Sequence, residues 1–161
     1  GFSPDLGTDG VPMRVADFLA DKTISYETLL HPPAFTAQKR AKFLHLSGHE
    51  VAKSVLLYGP EGFFLAVLPA TLHVDTYRMA ESLKGPVRLA DHEEVARTFW
   101  DCEWGVVPPF GSLYGLSTVI DDSFALDTLL VFEGNTHGEA IRMLCRDYER
   151  LVKPRRSRFA Y

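Results

Sequence analysis

Residues 51–58, "VAKSVLLY", alternate as a half-buried strand does. Val51, Lys53, Val55 and Leu57 share one face, and Ala52, Ser54, Leu56 and Tyr58 share the other. "GPEG" follows as a hairpin turn, with "FFLAVLPA" as the returning strand. "ISYETLLH", "LSTVIDD", "TLLVFEG" and "EAIRMLC" read as further short strands. Helical spacing places Val15, Phe18 and Leu19 on one stripe of "MRVADFLADK". Thr36 is a good N-cap for a helix through "AQKRAKFLHLSG", with Gly48 near its end. Asp75 and Asp91 can cap "TYRMAESLKG" and "HEEVARTFW", and "RDYERLV" reads as a last helix. Helices thus alternate irregularly with hairpin-linked strands, which predicts a mixed α+β domain around a curved sheet or barrel.

Composition narrows this picture. The 161 residues suit one domain with a sizeable core, and 46% hydrophobic with 24% charged is an ordinary globular balance. No apolar run approaches the roughly 20 residues of a membrane span, so no membrane partner is expected. The pattern divides the chain into a loose leader at 1–12, a single domain at 13–154 and a basic C-terminal tail at 155–161. Two cysteines make no disulfide framework, and a reduced, cytoplasmic setting is the default expectation. A net charge of −4 argues against general nucleic-acid binding by bulk electrostatics. Positive charge is local instead, at Lys39, Arg40 and Lys42 and at Lys153, Arg155, Arg156 and Arg158. Either cluster could touch a phosphate backbone or simply be a solvated face.

Phosphate-loop, dinucleotide and nucleophile-elbow motifs are absent, and no cofactor is expected. His45 and His49 stand four apart, but Gly48 lies between them and the general-base Glu of a zincin helix is missing, so no metal site is predicted. Cys102 has no partner at short spacing, and Cys145 reads as a small core residue.

Three features carry candidate chemistry. Lys53 sits on the more apolar strand face, where a charge is costly unless paired. It could snorkel or pair with a carboxylate, act as a Schiff-base nucleophile if burial lowers its pKa, or serve as a point charge for a phosphate. "GVVPPFG", Gly105 to Gly111, is a stiff loop whose two prolines remove donors and leave carbonyls able to hold a water or a ligand amine. "EGNTHGE" is a glycine-bounded turn between strands with His137 at its tip, where an exposed turn histidine is the commoner case.

In order and spacing, "HPPAFTAQ", "VAKSVLL", "FLAVLPATLHVD", "RLADHEEV", "GVVPPFGSLYGL", "VIDD" and "FEGNTHGEAIRM" together resemble the YbaK family, the prolyl-tRNA synthetase-associated editing domains. The resemblance runs from about Met13 to Pro154. It implies a mixed β-barrel-like sheet surrounded by helices. It also implies a free-standing deacylase that hydrolyses the ester of a mischarged aminoacyl-tRNA, mostly tRNA for proline, with prolyl-tRNA synthetase or an elongation factor as a further partner. By the resemblance, Lys53 holds the phosphate at the tRNA 3′ end. The backbone of Gly105 and Pro109 binds the substrate amino group and positions water. His31, Phe35, Thr36 and Ala37, with Asn135, Thr136, His137 and Gly138, form the pocket wall. His137 would narrow the pocket toward small amino acids such as alanine. The cysteinyl-tRNA deacylase of the family has an aromatic hydroxyl where His31 falls and an acid near Ala140, so a thiol-specific reaction is not expected here. Two other classes stay open: a non-catalytic module binding tRNA ends or a synthetase, and a Schiff-base lysine enzyme.

Overall fold

The computed structural model describes residues 14–20, 22–47 and 50–161. The expected leader at 1–12, the start at Met13, the helix-ending Gly48 and the His49 half of the histidine pair lie outside the described residues.

In chain order the elements are α1 (Val15–Ala20), β1 (Tyr26–Leu30), α2 (Ala37–Phe43), β2 (Ala52–Gly59), β3 (Gly62–Pro69), α3 (Thr76–Leu83), β4 (Arg88–Leu89), α4 (His92–Thr98), β5 (Ser117–Asp121), β6 (Leu129–Glu133), β7 (Glu139–Leu144), α5 (Cys145–Val152) and β8 (Arg155–Ser157). A 3-10 turn at Gly111–Tyr114 precedes β5. The helices start where the side chains dictate. Thr36 accepts from Lys39 N, Asp75 accepts from Tyr77 N and Arg78 N, and Asp91 and Glu94 complete a capping box on α4. Gly62, at φ +106°, closes the β2–β3 hairpin in a conformation that L side chains rarely adopt.

The architecture is mixed α+β, as the pattern predicts, with two sheets rather than one closed barrel. One sheet runs β1-β7-β6 and the other β4-β2-β3-β5-β8. A parallel bridge between Val51 and Val131 links them. In the larger sheet β3–β5 and β5–β8 are parallel, whereas the hairpin β2–β3 is antiparallel, pairing Lys53 with Leu68 and Leu57 with Phe64. One apolar cluster, with Phe110, Phe132, Ile141 and Tyr148, fills the space under both sheets. A second packs Leu57, Leu68, Met79 and Phe159 beneath α3.

The C-terminal segment joins the larger sheet. Residues 155–157 form β8 on β5, and Phe159 is fully buried. Arg156 is bound rather than solvated: its guanidinium donates to Glu149, Asp122 and the Phe124 carbonyl. The buried Asp121 carboxylate accepts from Phe159 N and Ala160 N at 3.1 and 3.0 Å. Within this run, Arg156 and Arg155, which donates to the Ser82 carbonyl, are held by the fold, while Lys153 and Arg158 are exposed.

Candidate functional site

The segment 104–111 is fixed from three directions. Ser54, on β2, donates its hydroxyl to the Val107 carbonyl. Glu133, at the end of β6, accepts from Val107 N at 2.7 Å. Tyr148, on α5, donates to the Pro109 carbonyl at 2.6 Å. The residues from Val106 to Gly111 are buried, and Gly105 is exposed at φ +85°. This revises the expectation of a loop with free carbonyls: those of Val107 and Pro109 are already engaged, and Pro109 is an interior residue. The solvent-facing part is Gly105, next to the exposed Trp104.

Behind the loop stands a buried ion pair. Arg40, 1% exposed, donates to Glu133 at 3.1 Å and to the Ala34 carbonyl, and its Nε donates to His31 Nε2 at 3.3 Å. His31 in turn donates from Nδ1 to the Pro32 carbonyl at 2.7 Å, so both ring nitrogens are engaged within the protein. Burial pushes the Glu133 carboxyl above its usual range, and the Arg40 guanidinium and Val107 N–H pull it back. Arg40 is therefore no part of a solvated basic face. It shares the inward stripe of α2 with Ala37, Ala41 and Leu44.

The late turn comes up against the same loop. Glu103 N donates to the Asn135 carbonyl, and His137 N donates to the Glu103 carboxylate at 3.1 Å. His137 is buried, not an exposed tip: it is 7% exposed, and its ring lies 4.7 Å from that of Phe35, which is 75% exposed. Its Nε2 bonds the Trp104 carbonyl at 2.7 Å, while Nδ1 is buried with no partner, at a cost of about 1–3 kcal/mol. Gly138 sits where a Cβ would come within 3.1 Å of the His31 carbonyl.

Some of the anticipated wall faces elsewhere. Asn135 is 1% exposed; its Oδ1 accepts from Val15 N and its Nδ2 donates to Cys102 Sγ, so the side chain is an internal post. Thr36 spends its hydroxyl on the α2 cap, and Thr136 accepts from Gly138 N. Ala37 is half-buried in the first turn of α2. His31, Phe35, His137 and Gly138 do converge. Burial pushes the Cys102 thiol up to about 12, which leaves it no thiolate nucleophile.

Lys53 is half-buried on β2. Among the described residues its ammonium has neither a hydrogen-bond acceptor nor a carboxylate partner, and burial alone pushes its pKa down. Ser54, its neighbour, points to the opposite face and holds the loop. The stretch of β2 from Ala52 to Leu56 lies between the Val51–Val131 bridge and the β4 pairing at Leu57, so the two faces meet at an edge that no strand covers among the described residues. A cleft of about 450 Å³ lined by Pro60, Phe64, Leu83 and Arg155 lies at the hairpin turn, the other end of β2.

The sequence profile of the aminoacyl-tRNA editing domain matches residues 31–151, which span every part of this constellation. The chain belongs to the aminoacyl-tRNA editing domain family. The editing-domain fold recurs in solved structures at low identity. A hypothetical protein superposes with a TM-score of 0.84 at 19% identity, covering 92% of this chain and 100% of that one. A proposed trans-editing enzyme for prolyl tRNA synthetase gives 0.71 at 19% identity, covering 84% and 87%. A proposed signal transduction protein from Marinobacter aquaeolei gives 0.69 at 20% identity, covering 91% of this chain and 30% of that one. No curated protein matches the chain. Among the described residues of this editing domain no helix is long and apolar enough to cross a membrane, and no three His, Cys, Asp or Glu side chains cluster as metal ligands.

Sequence reasoning missed Ser54, Glu133 and Arg40. Each had a signal: a hydroxyl on an apolar strand face, an acid ending a buried strand, and an arginine in helical register with Ala37, Ala41 and Leu44.

Proposed function

We propose that this editing domain is a free-standing deacylase that hydrolyses the ester of a mischarged tRNA, with tRNA for proline carrying a small amino acid such as alanine as its substrate. Family membership supports the editing role, and the structural likeness to a proposed trans-editing enzyme for prolyl tRNA synthetase supports the proline system. The observation that carries the reading is Lys53, an ammonium with no partner among the described residues, one residue from the side chain that holds the loop. A compact cation without a partner is suited to an arriving phosphate.

In this reading Lys53 anchors the last phosphodiester of the tRNA, and the ester carbonyl comes to the exposed Gly105. Water adds to the carbonyl carbon, the bond to the ribose oxygen breaks, and that oxygen leaves with a proton. The products are the free amino acid and uncharged tRNA. The ester is already activated, so holding water or the vicinal ribose hydroxyl in line supplies on the order of several kcal/mol. A backbone N–H near the developing oxyanion adds about 3 kcal/mol. Phe35 and His137 limit the side-chain space. Excluding proline by clash is easier than rejecting a smaller residue, which is worth only about 1–3 kcal/mol per methylene. A net charge of −4 makes the free domain a weak tRNA binder, so a synthetase or elongation factor that delivers the substrate fits the reading.

A deacylation screen over mischarged tRNAs tests it. Hydrolysis of alanyl ester on tRNA for proline, with the prolyl ester spared, is the expected result; no hydrolysis of any ester rejects it. The lowered pKa of Lys53 favours one other reading, a Schiff-base nucleophile. Borohydride trapping of a carbonyl compound on Lys53 would establish that instead.

A further inference from the structure

His137 presents an acceptor that the protein does not use. The Trp104 carbonyl only accepts, so Nε2, 2.7 Å from it, carries a proton, and in the neutral ring this leaves the lone pair on Nδ1. The ring is 7% exposed and Nδ1 has no partner among the described residues. Buried acceptors in folded proteins nearly always have a donor. A missing one points to a group that arrives from outside.

The surroundings say where that group enters. Phe35 lies against the imidazole, ring centroids 4.7 Å apart, yet is itself 75% exposed. It is a cover that can swing away without loss of core packing. On the edge between the two nitrogens, Cε1 lies 4.0 Å from where a Cβ on Gly105 would be. Gly105 has no side chain, so that space stays open. The Glu103 carboxylate accepts from His137 N at 3.1 Å, which places a negative charge beside the residue. An incoming donor with positive charge is therefore better suited here than an anion.

An aminoacyl ester carries one such donor. We propose that His137 Nδ1 accepts a hydrogen bond from the α-ammonium group of the aminoacyl substrate, with Phe35 as the movable cover. The inference rests on the deacylase reading and deepens it. His137 then reads the amine as well as narrowing the pocket, and Trp104, by holding Nε2, sets the tautomer that makes this possible.

The test compares two non-hydrolysable ligands, the 3′-amide analogue of alanyl-adenosine and its propionyl counterpart, which lacks the amine. His137→Gln keeps a donor that can reach the Trp104 carbonyl but has nothing at Nδ1. The wild type should bind the alanyl analogue about tenfold more tightly than the propionyl one, and His137→Gln should bind both alike. In the wild type, the Nδ1 nitrogen resonance should shift with the alanyl analogue and stay in place with the propionyl one, a readout that needs no variant to fold. Equal binding of both by the wild type, an unmoved resonance, or a preference retained in His137→Gln overturns the inference. If ester hydrolysis persists alongside any of these, the deacylase reading survives and only the role of Nδ1 is lost. If neither analogue binds and no ester is hydrolysed, both fall together.

Discussion

Glu133 accepts the backbone N–H of Val107 at 2.7 Å, while its other oxygen takes the buried guanidinium of Arg40 at 3.1 Å. A helix residue thus sets the position of a loop far from it in the chain, through one carboxylate. In the proposed function the loop that meets substrate is held in place through this ion pair.

Removing Arg40 should expose how that arrangement is held. Arg40→Met leaves Glu133 buried and unpaired, and breaking a buried pair in this way costs about 3–5 kcal/mol. The folded-state pKa of Glu133 already lies above its usual value because of burial, and loss of the guanidinium raises it further. A carboxyl with a raised folded pKa binds its proton more tightly when folded, so acidification favours the folded state. Urea unfolding of the variant should show the larger deficit at pH 8 and a smaller one near pH 5. A deficit independent of pH would assign the loss to packing alone.

Ser54 offers a milder perturbation of the same loop. Ser54→Ala removes the hydroxyl that donates to the Val107 carbonyl, a loss of about 1 kcal/mol. The variant should fold, with a small drop in Tm, and should lose far more deacylase activity than stability, because the loop is less well positioned. Activity that falls only in proportion to folded protein would make Ser54 purely structural.

Much of this could be read in the letters, and what could not has a physical reason. The alternation through "VAKSVLL" placed Lys53 on an apolar face, and the structure leaves it without a partner among the described residues. The hairpin, the caps at Thr36, Asp75 and Asp91, and the α+β class follow from local rules. The parallel pairings β3–β5 and β5–β8 do not, because they join segments distant in the chain. The same holds for charge. Arg40 and Arg156 look like parts of basic runs, but their partners Glu133 and Glu149 are named only by the fold. Asn135 and His137 show the limit from the other side: two residues apart in one polar turn, one is an internal post and the other packs its ring against the exposed Phe35.

Lys53 should also report its role through pH. Burial lowers its pKa in the free protein, and a bound phosphate would raise it. Binding is then strongest below the free pKa and weakens as pH rises through the pKa of the complex. Titration with adenosine 5′-monophosphate as the probe should show affinity falling on the alkaline side. Lys53→Arg, whose guanidinium stays charged, should flatten that fall. A wild-type affinity that does not change at alkaline pH would place the phosphate elsewhere.

The most direct measurement is single-turnover deacylation of alanyl ester on tRNA for proline by wild type and by Lys53→Ala, with Tm recorded for both. The account predicts rapid hydrolysis by the wild type and a loss of at least about a hundredfold in Lys53→Ala, with an unchanged Tm. Full activity in Lys53→Ala would contradict it.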